Sequence, residues 1–413
     1  KGDDELWGEE GNDIIVWNKG DGFDTVIDYN AETNIVRFGA GITFEQLVFE
    51  RDNNNLSIFV DGDRTQGLEL VNFVSQYKLE FADGTVYSPD EDGLFLSQSD
   101  KDDNESGTQF DDVLYGNGGD DSLHGKDGDD ILCGGKGNDN LDGGNGRDVY
   151  IWNKGDGFDT IVDSGENIIR FGEGITFDDL TFACENGYLL ITVDGDDTQG
   201  VKIRDFFGSQ KYKYMIEKLE FADGSSFNLA ESGLTLTQKN TAEQIDGTDF
   251  DDIIHGNGGS DTIIGGKGDD ILYGDESFGG TAGDDVYIWN KGDGFDELHD
   301  ELGSNIIRFG KDVSFNDLIF RQNGNNLDIY VNGDRTQGMR LINYYYRDQG
   351  IHYTLEFADG TNVNLAESGL TLTQSDKSGS CNGTDHDDVI YGGNGNDVIY
   401  GDEGDDILIG GKG

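Results

Sequence analysis

An aspartate recurs at every ninth position in the stretch from Gly107 to Tyr150. The stretch divides into nine-residue units whose aspartates are Asp112, Asp121, Asp130, Asp139 and Asp148. An apolar residue stands two places after each aspartate, with tyrosine in the last unit, and glycines fill the first and often the fourth place of each unit. A flexible Gly/Asp-rich linker has no reason to repeat an apolar residue in this register, so the period indicates folded structure.

Carboxylates at this spacing can bind a metal ion if the chain winds into flattened coils. Each unit then gives one tight turn and one short strand, and two units close a coil, so that Asp112 stacks over Asp130 and Asp121 over Asp139. Stacked coils lie about 4.8 Å apart, where bare carboxylates repel. A calcium ion between them reverses the sign, and carbonyl oxygens exposed by the glycine turns complete its oxygen shell. Zinc is disfavoured because neither Cys nor His lies in register.

The same register predicts calcium ligands outside the central stretch. These aspartates are Asp4, Asp13, Asp252, Asp261, Asp270, Asp285, Asp388, Asp397 and Asp406. Three more aspartates follow a unit that is stretched by two residues, namely Asp24, Asp159 and Asp296. The stretched unit predicts a widened last coil that shares its core with the segment after it. An insertion at 276–282 shifts the register before Asp285 by six residues.

The composition requires counterions. The chain of 413 residues has 28 basic and 85 acidic side chains, a net charge of −57, which opposes collapse, yet 24 Phe and 17 Tyr indicate folded modules. Both features are compatible if cations complete the fold. Nucleic acid and anionic membranes are poor partners for so acidic a chain. No apolar run is long enough to predict membrane insertion, and three cysteines are too few for a disulfide framework.

A second kind of module occurs three times. Its opening, WNKGDGFD, begins at Trp17, Trp152 and Trp289, and a later motif, FADG, begins at Phe81, Phe221 and Phe357. In the first copy, β-rich runs alternate with turns and predict strands at 25–28, 35–38, 48–50, 56–60, 68–71 and 78–81. Thr43 is a predicted cap of one helical turn. These short strands predict a small antiparallel sheet or sandwich.

The predicted fold class is all-β, with parallel β-roll segments alternating with small β-sheet or sandwich modules in an elongated tandem array. The predicted order is the end of a roll at 1–16, modules at 17–106, 152–246 and 289–382, and rolls at 107–151, 247–288 and 383–413. Polar passages at 97–106, 237–246 and 373–382 are predicted linkers. The Leu-Thr-Leu-Thr-Gln segment that opens the last two predicts a strand. Because both ends lie inside a repeat, we expect a segment of a longer array.

The nine-residue unit resembles the G-G-x-G-x-D-x-U-x calcium-binding repeat of the RTX (repeats-in-toxin) family, which forms a parallel β-roll. The module, with its NKGDGFDT opening and FADGT close, resembles the haemolysin-type calcium-binding-related domain. The resemblance implies multiple bound calcium ions, export by a type I system, and folding outside the cell. The implied location is therefore extracellular, either secreted or on the cell surface.

Three functions follow from this reading. The leading prediction is a non-catalytic, calcium-rigidified stalk, filament or surface-layer array, with neighbouring copies of the chain as partners. No enzyme is predicted, since G-x-S-x-G, HExxH and Cys/His pairings do not occur. The alternatives are a calcium-dependent folding and secretion segment of a toxin or enzyme whose active domain lies elsewhere, and a glycan-binding adhesin. The adhesin would use the aromatic clusters at 206–207 and 344–346, which otherwise read as core residues.

Overall fold

The nine-residue period of the sequence forms a coil of eighteen residues. In the central roll, Leu114 pairs with Leu132 and Leu123 pairs with Leu141, both in parallel register. Successive units therefore alternate between two sheets, and each strand pairs with the strand two units later. This arrangement confirms the all-β fold class and the parallel β-roll.

The structure is a computed structural model and describes residues 1–28, 33–52, 55–73, 77–88, 92–163, 165–207, 216–239, 241–275, 283–300, 302–345, 352–374 and 378–413. The insertion at 276–282 and residue 346 of the second aromatic cluster lie outside the described residues. No helix among the described residues is long and apolar enough to cross a membrane.

Short strands account for most of the described chain. The first eleven are β1 (Glu5–Trp7), β2 (Ile14–Trp17), β3 (Phe23–Ile27), β4 (Asn34–Phe38), β5 (Leu47–Asp52), β6 (Asn55–Val60), β7 (Asp63–Val71), β8 (Tyr77–Glu80), β9 (Val86–Tyr87), β10 (Phe95–Ser97) and β11 (Asn104–Ser106). The next twelve are β12 (Val113–Gly118), β13 (Ser122–Asp127), β14 (Ile131–Lys136), β15 (Asn140–Asn145), β16 (Val149–Trp152), β17 (Phe158–Ile161), β18 (Asn167–Phe171), β19 (Leu180–Glu185), β20 (Tyr188–Val193), β21 (Asp196–Ile203), β22 (Ile216–Phe221) and β23 (Ser226–Asn228).

The remaining strands follow the same alternation of rolls and modules. They are β24 (Thr235–Thr237), β25 (Gln244–Asp246), β26 (Ile253–His255), β27 (Thr262–Ile264), β28 (Ile271–Tyr273), β29 (Val286–Trp289), β30 (Phe295–His299), β31 (Ser304–Phe309), β32 (Leu318–Asn323), β33 (Asn326–Val331), β34 (Asp334–Leu341), β35 (His352–Glu356), β36 (Asn362–Asn364), β37 (Thr371–Thr373), β38 (Ser380–Asn382), β39 (Val389–Tyr391), β40 (Val398–Tyr400) and β41 (Ile407–Ile409).

The strands fall into two compact units. The first holds the described residues within Lys1–Leu180, Ile191–Phe206 and Gln210–Ala230, and the second holds those within Thr181–Leu190, Phe207–Ser209 and Glu231–Gly413. In the first unit, parallel pairs connect β10, β12, β14, β16, β18 and β22 in one sheet, and β11, β13, β15, β17 and β21 in the facing one. In the second unit, β25, β27, β29, β31 and β35 pair in the same way.

The core of each roll is a stack of apolar side chains between the two sheets. The residues two places after the aspartates of the central roll, Leu114, Leu123, Leu132, Leu141 and Tyr150, are at most 2% exposed. Burial of one such side chain stabilises a fold by roughly 1.5–3 kcal/mol. The prediction that these residues point into the core is confirmed.

Each module continues the roll rather than standing beside it. In the first copy, β3 pairs in parallel with both β1 and β7, and β4 pairs in parallel with β2 and β8. Only β5, β6 and β7 form the expected antiparallel sheet, together with the short pair β8–β9. The parallel pairs arise because the stretched unit is a further coil of the roll.

The repeated module motifs meet in one aromatic core. Trp17 of the WNKGDGFD motif is fully buried and packs edge-on against Phe38 at 6.2 Å, and Phe38 stacks on Phe81 of the FADG motif at 5.4 Å. The equivalent rings pack in the same order in the other two copies. Motifs that lie far apart in the sequence of one module are therefore neighbours in its fold.

Two local predictions are confirmed, and one is wrong. Thr43, Thr176 and Ser314 cap 3₁₀ turns at Phe44–Gln46, Phe177–Asp179 and Phe315–Asp317. The Leu-Thr-Leu-Thr-Gln segments form β24 and β37. The passages at 97–106, 237–246 and 373–382 are not simple linkers, however, because their strands β11, β25 and β38 pair with β13, β27 and β40 at the spacing of one coil. The three cysteines, Cys133, Cys184 and Cys381, are buried free thiols.

Candidate calcium sites

The aspartates of successive coils are joined by direct hydrogen bonds. The backbone N–H of Asp112 donates to Oδ1 of Asp130 at 2.6 Å, and that of Asp130 donates to Oδ1 of Asp148 at 2.8 Å. On the other edge of the roll, the N–H of Asp121 donates to Oδ1 of Asp139 at 2.7 Å. One oxygen of each carboxylate is thus fixed by the neighbouring coil, which sets the direction of the other oxygen.

The second and third rolls use the same contact. The N–H of Asp252 donates to Oδ1 of Asp270 at 2.8 Å, and that of Asp388 donates to Oδ1 of Asp406 at 2.9 Å. The N–H of Asp261 reaches Oδ1 of Asp285 at 2.8 Å, although 24 residues separate them instead of eighteen. The shift of register seen in the sequence therefore does not displace Asp285 from its row.

The second carboxylate oxygen of many of these aspartates lacks a donor. Nine of the predicted ligands have a buried Oδ2 that accepts no hydrogen bond from any described residue: Asp13, Asp121, Asp130, Asp139, Asp148, Asp261, Asp270, Asp285 and Asp397. A buried charged oxygen without a partner is costly. So regular a set of unpartnered oxygens suits binding sites for a positively charged ion.

Glycine leaves space at each of these oxygens. A Cβ placed on Gly256 would lie 2.7 Å from Oδ2 of Asp261 and 3.0 Å from the carbonyl oxygen of Gly274 in the next coil. At Gly116, a Cβ would overlap Oδ2 of Asp121 and a carbonyl oxygen of the next coil. A carboxylate oxygen and a carbonyl oxygen thus converge on one small space, and hard oxygen donors of this kind fit Ca²⁺. When bound, the ion supplies the positive charge that these oxygens lack.

The electrostatics of the rows are those of buried, mutually repelling acids. Burial, with repulsion from the neighbouring carboxylates, raises the pKa of Asp130 to about 7 and that of Asp139 to about 6. The same causes raise the pKa of Asp270 and Asp285 to about 8. Without a cation, these groups are therefore held partly protonated near neutral pH.

The first aspartate of each roll differs from the interior ones. Oδ2 of Asp112 accepts hydrogen bonds from the backbone N–H and hydroxyl of Thr108, and its Oδ1 accepts from Leu94 N. Asp252 and Asp388 are covered in the same way by the threonines four residues before them. At these three predicted ligands, protein donors already satisfy both oxygens, so the aspartates act as caps of the rows.

The other end of the row is closed by asparagine. The N–H of Asp148 donates to Oδ1 of Asn167 at 2.8 Å, and the N–H of Asp285 donates to Oδ1 of Asn305 at 2.9 Å. A neutral amide at this position accepts the same hydrogen bond without adding a charge. These caps were not predicted from the sequence, although the Gly-Thr at 107–108, 247–248 and 383–384 and the Asn that begins the N-I-[VI]-R-F motif mark them.

The remaining predicted ligands lie in the widened coils and near the chain ends. Oδ1 of Asp24, Asp159 and Asp296 accepts the N–H of the aspartate one coil earlier, at 2.9–3.1 Å. Asp4 is exposed and Asp406 is half-buried. The structure thus joins most of the predicted residues into rows, whereas Asp13 contacts Asn34 and Asp397 contacts Gly379. Only some of the predicted residues present an unpartnered buried oxygen.

Comparison with known proteins agrees with this geometry. The RTX calcium-binding nonapeptide repeat matches residues 1–26, 106–141, 115–150, 246–277 and 382–413, and the haemolysin-type calcium binding protein related domain matches residues 189–231. The chain carries RTX nonapeptide calcium-binding repeats. RTX repeats of this kind bind Ca²⁺ at multiple sites, which confirms the predicted cofactor.

The relatives match only limited regions. The iron-regulated protein FrpA of Neisseria meningitidis serogroup C is 34% identical over 128 residues, which is 29% of this chain and 10% of that protein. The AlgE6R3 subunit of the Azotobacter vinelandii mannuronan C5-epimerase is 26% identical, with 29% of this chain and 78% of that chain covered and a TM-score of 0.22. The extracellular lipase LipA of Serratia marcescens is 17% identical, with 60% and 37% covered and a TM-score of 0.21. TM-scores this low do not establish a shared overall fold.

Proposed function

We propose that this chain is a non-catalytic, calcium-folded structural segment of a large secreted or cell-surface protein, of the stalk, filament or surface-layer type. The observation that supports it is the set of nine buried Oδ2 atoms without a donor among the described residues. Because these oxygens belong to the coils themselves, calcium binding and folding of the rolls are one process. Millimolar calcium outside a cell satisfies such sites, whereas the calcium-poor cytosol does not.

The module contacts support a mechanical role. Within each unit, the module strands pair directly with roll strands, as in the pairs β16–β18 and β29–β31. A continuous parallel sheet transmits rigidity from the calcium-bound coils into the module. Neighbouring copies of the chain are the proposed partners in an array.

The aromatic clusters favour packing over glycan recognition. Phe206 is 6% exposed, as is Phe73 at the aligned position of the first module. The Tyr344 hydroxyl donates to the carbonyl oxygen of Leu365 at 3.3 Å. Burial raises the pKa of Tyr344 to about 12. A sugar-stacking platform needs exposed ring faces, so the adhesin is the weaker proposal.

A second candidate is a calcium-dependent folding and secretion segment whose active domain lies elsewhere in the parent protein. The region matched in FrpA is a tenth of that protein, so most of that relative lies outside the matched repeats. This candidate shares the calcium-dependent fold with the first and differs from it in assembly.

Imaging and sedimentation of the calcium-loaded chain separate the two candidates. We expect ordered fibres or sheets in negative-stain electron micrographs and a concentration-dependent increase in sedimentation coefficient, both reversed by chelator. Dispersed monomers at all concentrations would contradict the array and favour the secretion segment. Chelator alone should expand the chain toward the unfolded radius of gyration of about 70 Å, whichever candidate holds.

A further inference from the structure

A second aspartate accompanies the last aspartate of the row that continues into each module. The pairs are fifteen residues apart in all three copies: Asp13 with Asp28, Asp148 with Asp163, and Asp285 with Asp300. The second members, Asp28, Asp163 and Asp300, are buried, and none of them belongs to the nonapeptide register. The last coil of this row therefore contains more negative charge than the coils before it.

The third copy adds one more carboxylate. Carboxylate oxygens of Asp275, Asp285 and Asp300 all lie within 4.8 Å of one another. The three residues are 3%, 0% and 1% exposed. Oxygens bound to one calcium ion at about 2.4 Å are at most about 4.8 Å apart, so this separation suits a shared ion.

Two oxygens of this cluster are unused. Oδ1 of Asp275 and Oδ2 of Asp285 are buried and accept no hydrogen bond from the described part of the chain. The other four oxygens accept hydrogen bonds. Oδ2 of Asp275 accepts the N–H of Gly283 at 2.7 Å, and Oδ1 of Asp285 accepts the N–H of Asp261 at 2.8 Å. In Asp300, Oδ2 accepts the Tyr287 hydroxyl at 2.7 Å and Oδ1 accepts the N–H of Leu302 at 3.3 Å. Almost fully buried, unpartnered acceptors aimed into one cluster point to a cation.

A glycine adjoins the oxygens of the cluster. A Cβ added at Gly274 would overlap the Tyr287 hydroxyl, Oδ2 of Asp285 and Oδ2 of Asp300. Three oxygen atoms from three different residues therefore face the same glycine. Glycine therefore lets these oxygens converge beside the backbone, where any larger residue would push them apart.

In the second copy, the equivalent last coil of the row has no third carboxylate. Gly144 stands at the place of Asp275, and its N–H donates to Oδ1 of Asp163 at 3.1 Å. Oδ2 of Asp163 accepts from the Tyr150 hydroxyl and from the amide of Asn167. Protein donors thus cover Asp163 on both oxygens, whereas the third copy has replaced the glycine by an acid.

We propose that, at Asp285, the nonapeptide site is replaced by a three-carboxylate divalent-cation site, formed by Asp275, Asp285 and Asp300, that takes Ca²⁺. Its ligands are three carboxylates, in contrast to the carboxylate and carbonyl oxygens of the nonapeptide sites. Asp275 also holds the N–H of Gly283, the first described residue after the insertion, so the ion fixes the point where the chain rejoins the roll. The proposal deepens the calcium-folded role proposed above and rests on it.

Native mass spectrometry of the full chain in about 1 mM free calcium tests this site by counting bound ions. We expect Asp275→Gly, which recreates the residue of the second copy, and Asp300→Asn each to carry one calcium ion fewer than the unchanged chain. Glu367→Gln, which removes an exposed carboxylate from the same unit, should carry the full number. The calcium-loaded circular dichroism spectra of all variants should coincide, which shows that they fold.

Asp130→Asn separates failure of this site from failure of the proposed function. If Asp130→Asn loses an ion while Asp275→Gly and Asp300→Asn keep the full number, the site at Asp275, Asp285 and Asp300 is wrong. The proposal of a calcium-folded roll is then retained. If none of the three variants loses an ion, both proposals are wrong. Loss of one ion in each of Asp130→Asn, Asp275→Gly and Asp300→Asn supports both proposals.

Discussion

Each interior aspartate of the rolls uses its two carboxylate oxygens for different contacts. In Asp130, Oδ1 accepts the N–H of Asp112 in the coil before, and Oδ2 is buried without a donor among the described residues. The spacing of the sequence predicts which aspartates stack, because the period alone sets the coil. It does not predict the hydrogen bond through Oδ1, because that contact depends on where the backbone N–H of the neighbouring coil points.

The separate contacts of Oδ1 and Oδ2 predict the effect of Asp130→Asn. Asparagine keeps the Oδ1 acceptor but replaces Oδ2 by an amide nitrogen, which cannot bind a cation. We expect the calcium midpoint of folding, followed by circular dichroism, to rise at least about tenfold. Asp142→Asn, in the same roll, removes a carboxylate that is 40% exposed and should leave the midpoint unchanged. Equal midpoints for the two variants would contradict the assignment of Oδ2.

The raised aspartate pKa values predict opposite pH effects with and without calcium. Burial raises the pKa of Asp130 to about 7 and of Asp270 to about 8, whereas an unfolded aspartate titrates near 3.9. Because the folded pKa is the higher one, the stabilisation is complete below about pH 4 and is lost as the pH rises to about 8. The calcium-free chain should therefore show more β-structure at pH 5 than at pH 8.5.

Calcium binding should follow the reverse order, because the ion must displace these protons. Titration calorimetry in buffers of different ionisation enthalpy should show proton release on binding, with weaker binding at pH 6 than at pH 8. A calcium-free chain that is more ordered at pH 8.5 than at pH 5 would contradict the account.

At the scale of the element, one of the two aspartate rows of the central roll has a defined start and end. Thr108 covers the first aspartate of the central roll, and Asn167 accepts the last N–H of its row. All six strands predicted for the first module overlap observed strands by three residues or more, because alternating burial gives a clear period of two. The stretched unit predicts that the module begins as a further coil of the roll, and the parallel pairs β1–β3 and β2–β4 agree with this. The parallel pairing of β3 with β7 and of β4 with β8 was not predictable, because it depends on the whole path of the chain.

The glycines of the turns provide a matched test at this scale. Gly116 faces Oδ2 of Asp121 and a carbonyl oxygen, whereas Gly118, two residues later, has only ordinary contacts of 3.5 Å or more around an added Cβ. We expect Gly116→Ala to weaken calcium binding and to lower the melting temperature of the calcium-loaded chain by several degrees. Gly118→Ala should change calcium binding and the melting temperature much less. Equal effects of the two substitutions would contradict the assignment of a calcium site beside Gly116.

At the scale of the whole molecule, the net charge requires screening by salt, and the buried carboxylates require a bound cation. The charge of −57 opposes compaction through long-range repulsion, which any salt can screen. The buried oxygens need a cation inside the coil, which bulk salt does not supply. The composition predicts the first demand, and only the three-dimensional arrangement of the rows shows the second.

This separation predicts that sodium cannot replace calcium. In 1 M NaCl the Debye length falls to about 3 Å, so long-range repulsion is removed while the buried carboxylates remain unpaired. We expect small-angle scattering of the calcium-free chain in 1 M NaCl to give an expanded chain, and 5 mM calcium in low salt to give a compact one. Compaction by NaCl alone, to the same radius of gyration, would show that general screening suffices.

The most direct test of the central claim is a calcium anomalous difference map from crystals of the full chain grown in millimolar calcium. The account predicts a peak about 2.3–2.6 Å from Oδ2 of Asp130, Asp139 and Asp270, and none beside Oδ2 of Asp112, which Thr108 already covers. A map in which the interior Oδ2 atoms contact only water or protein donors, with the coils intact, would contradict it.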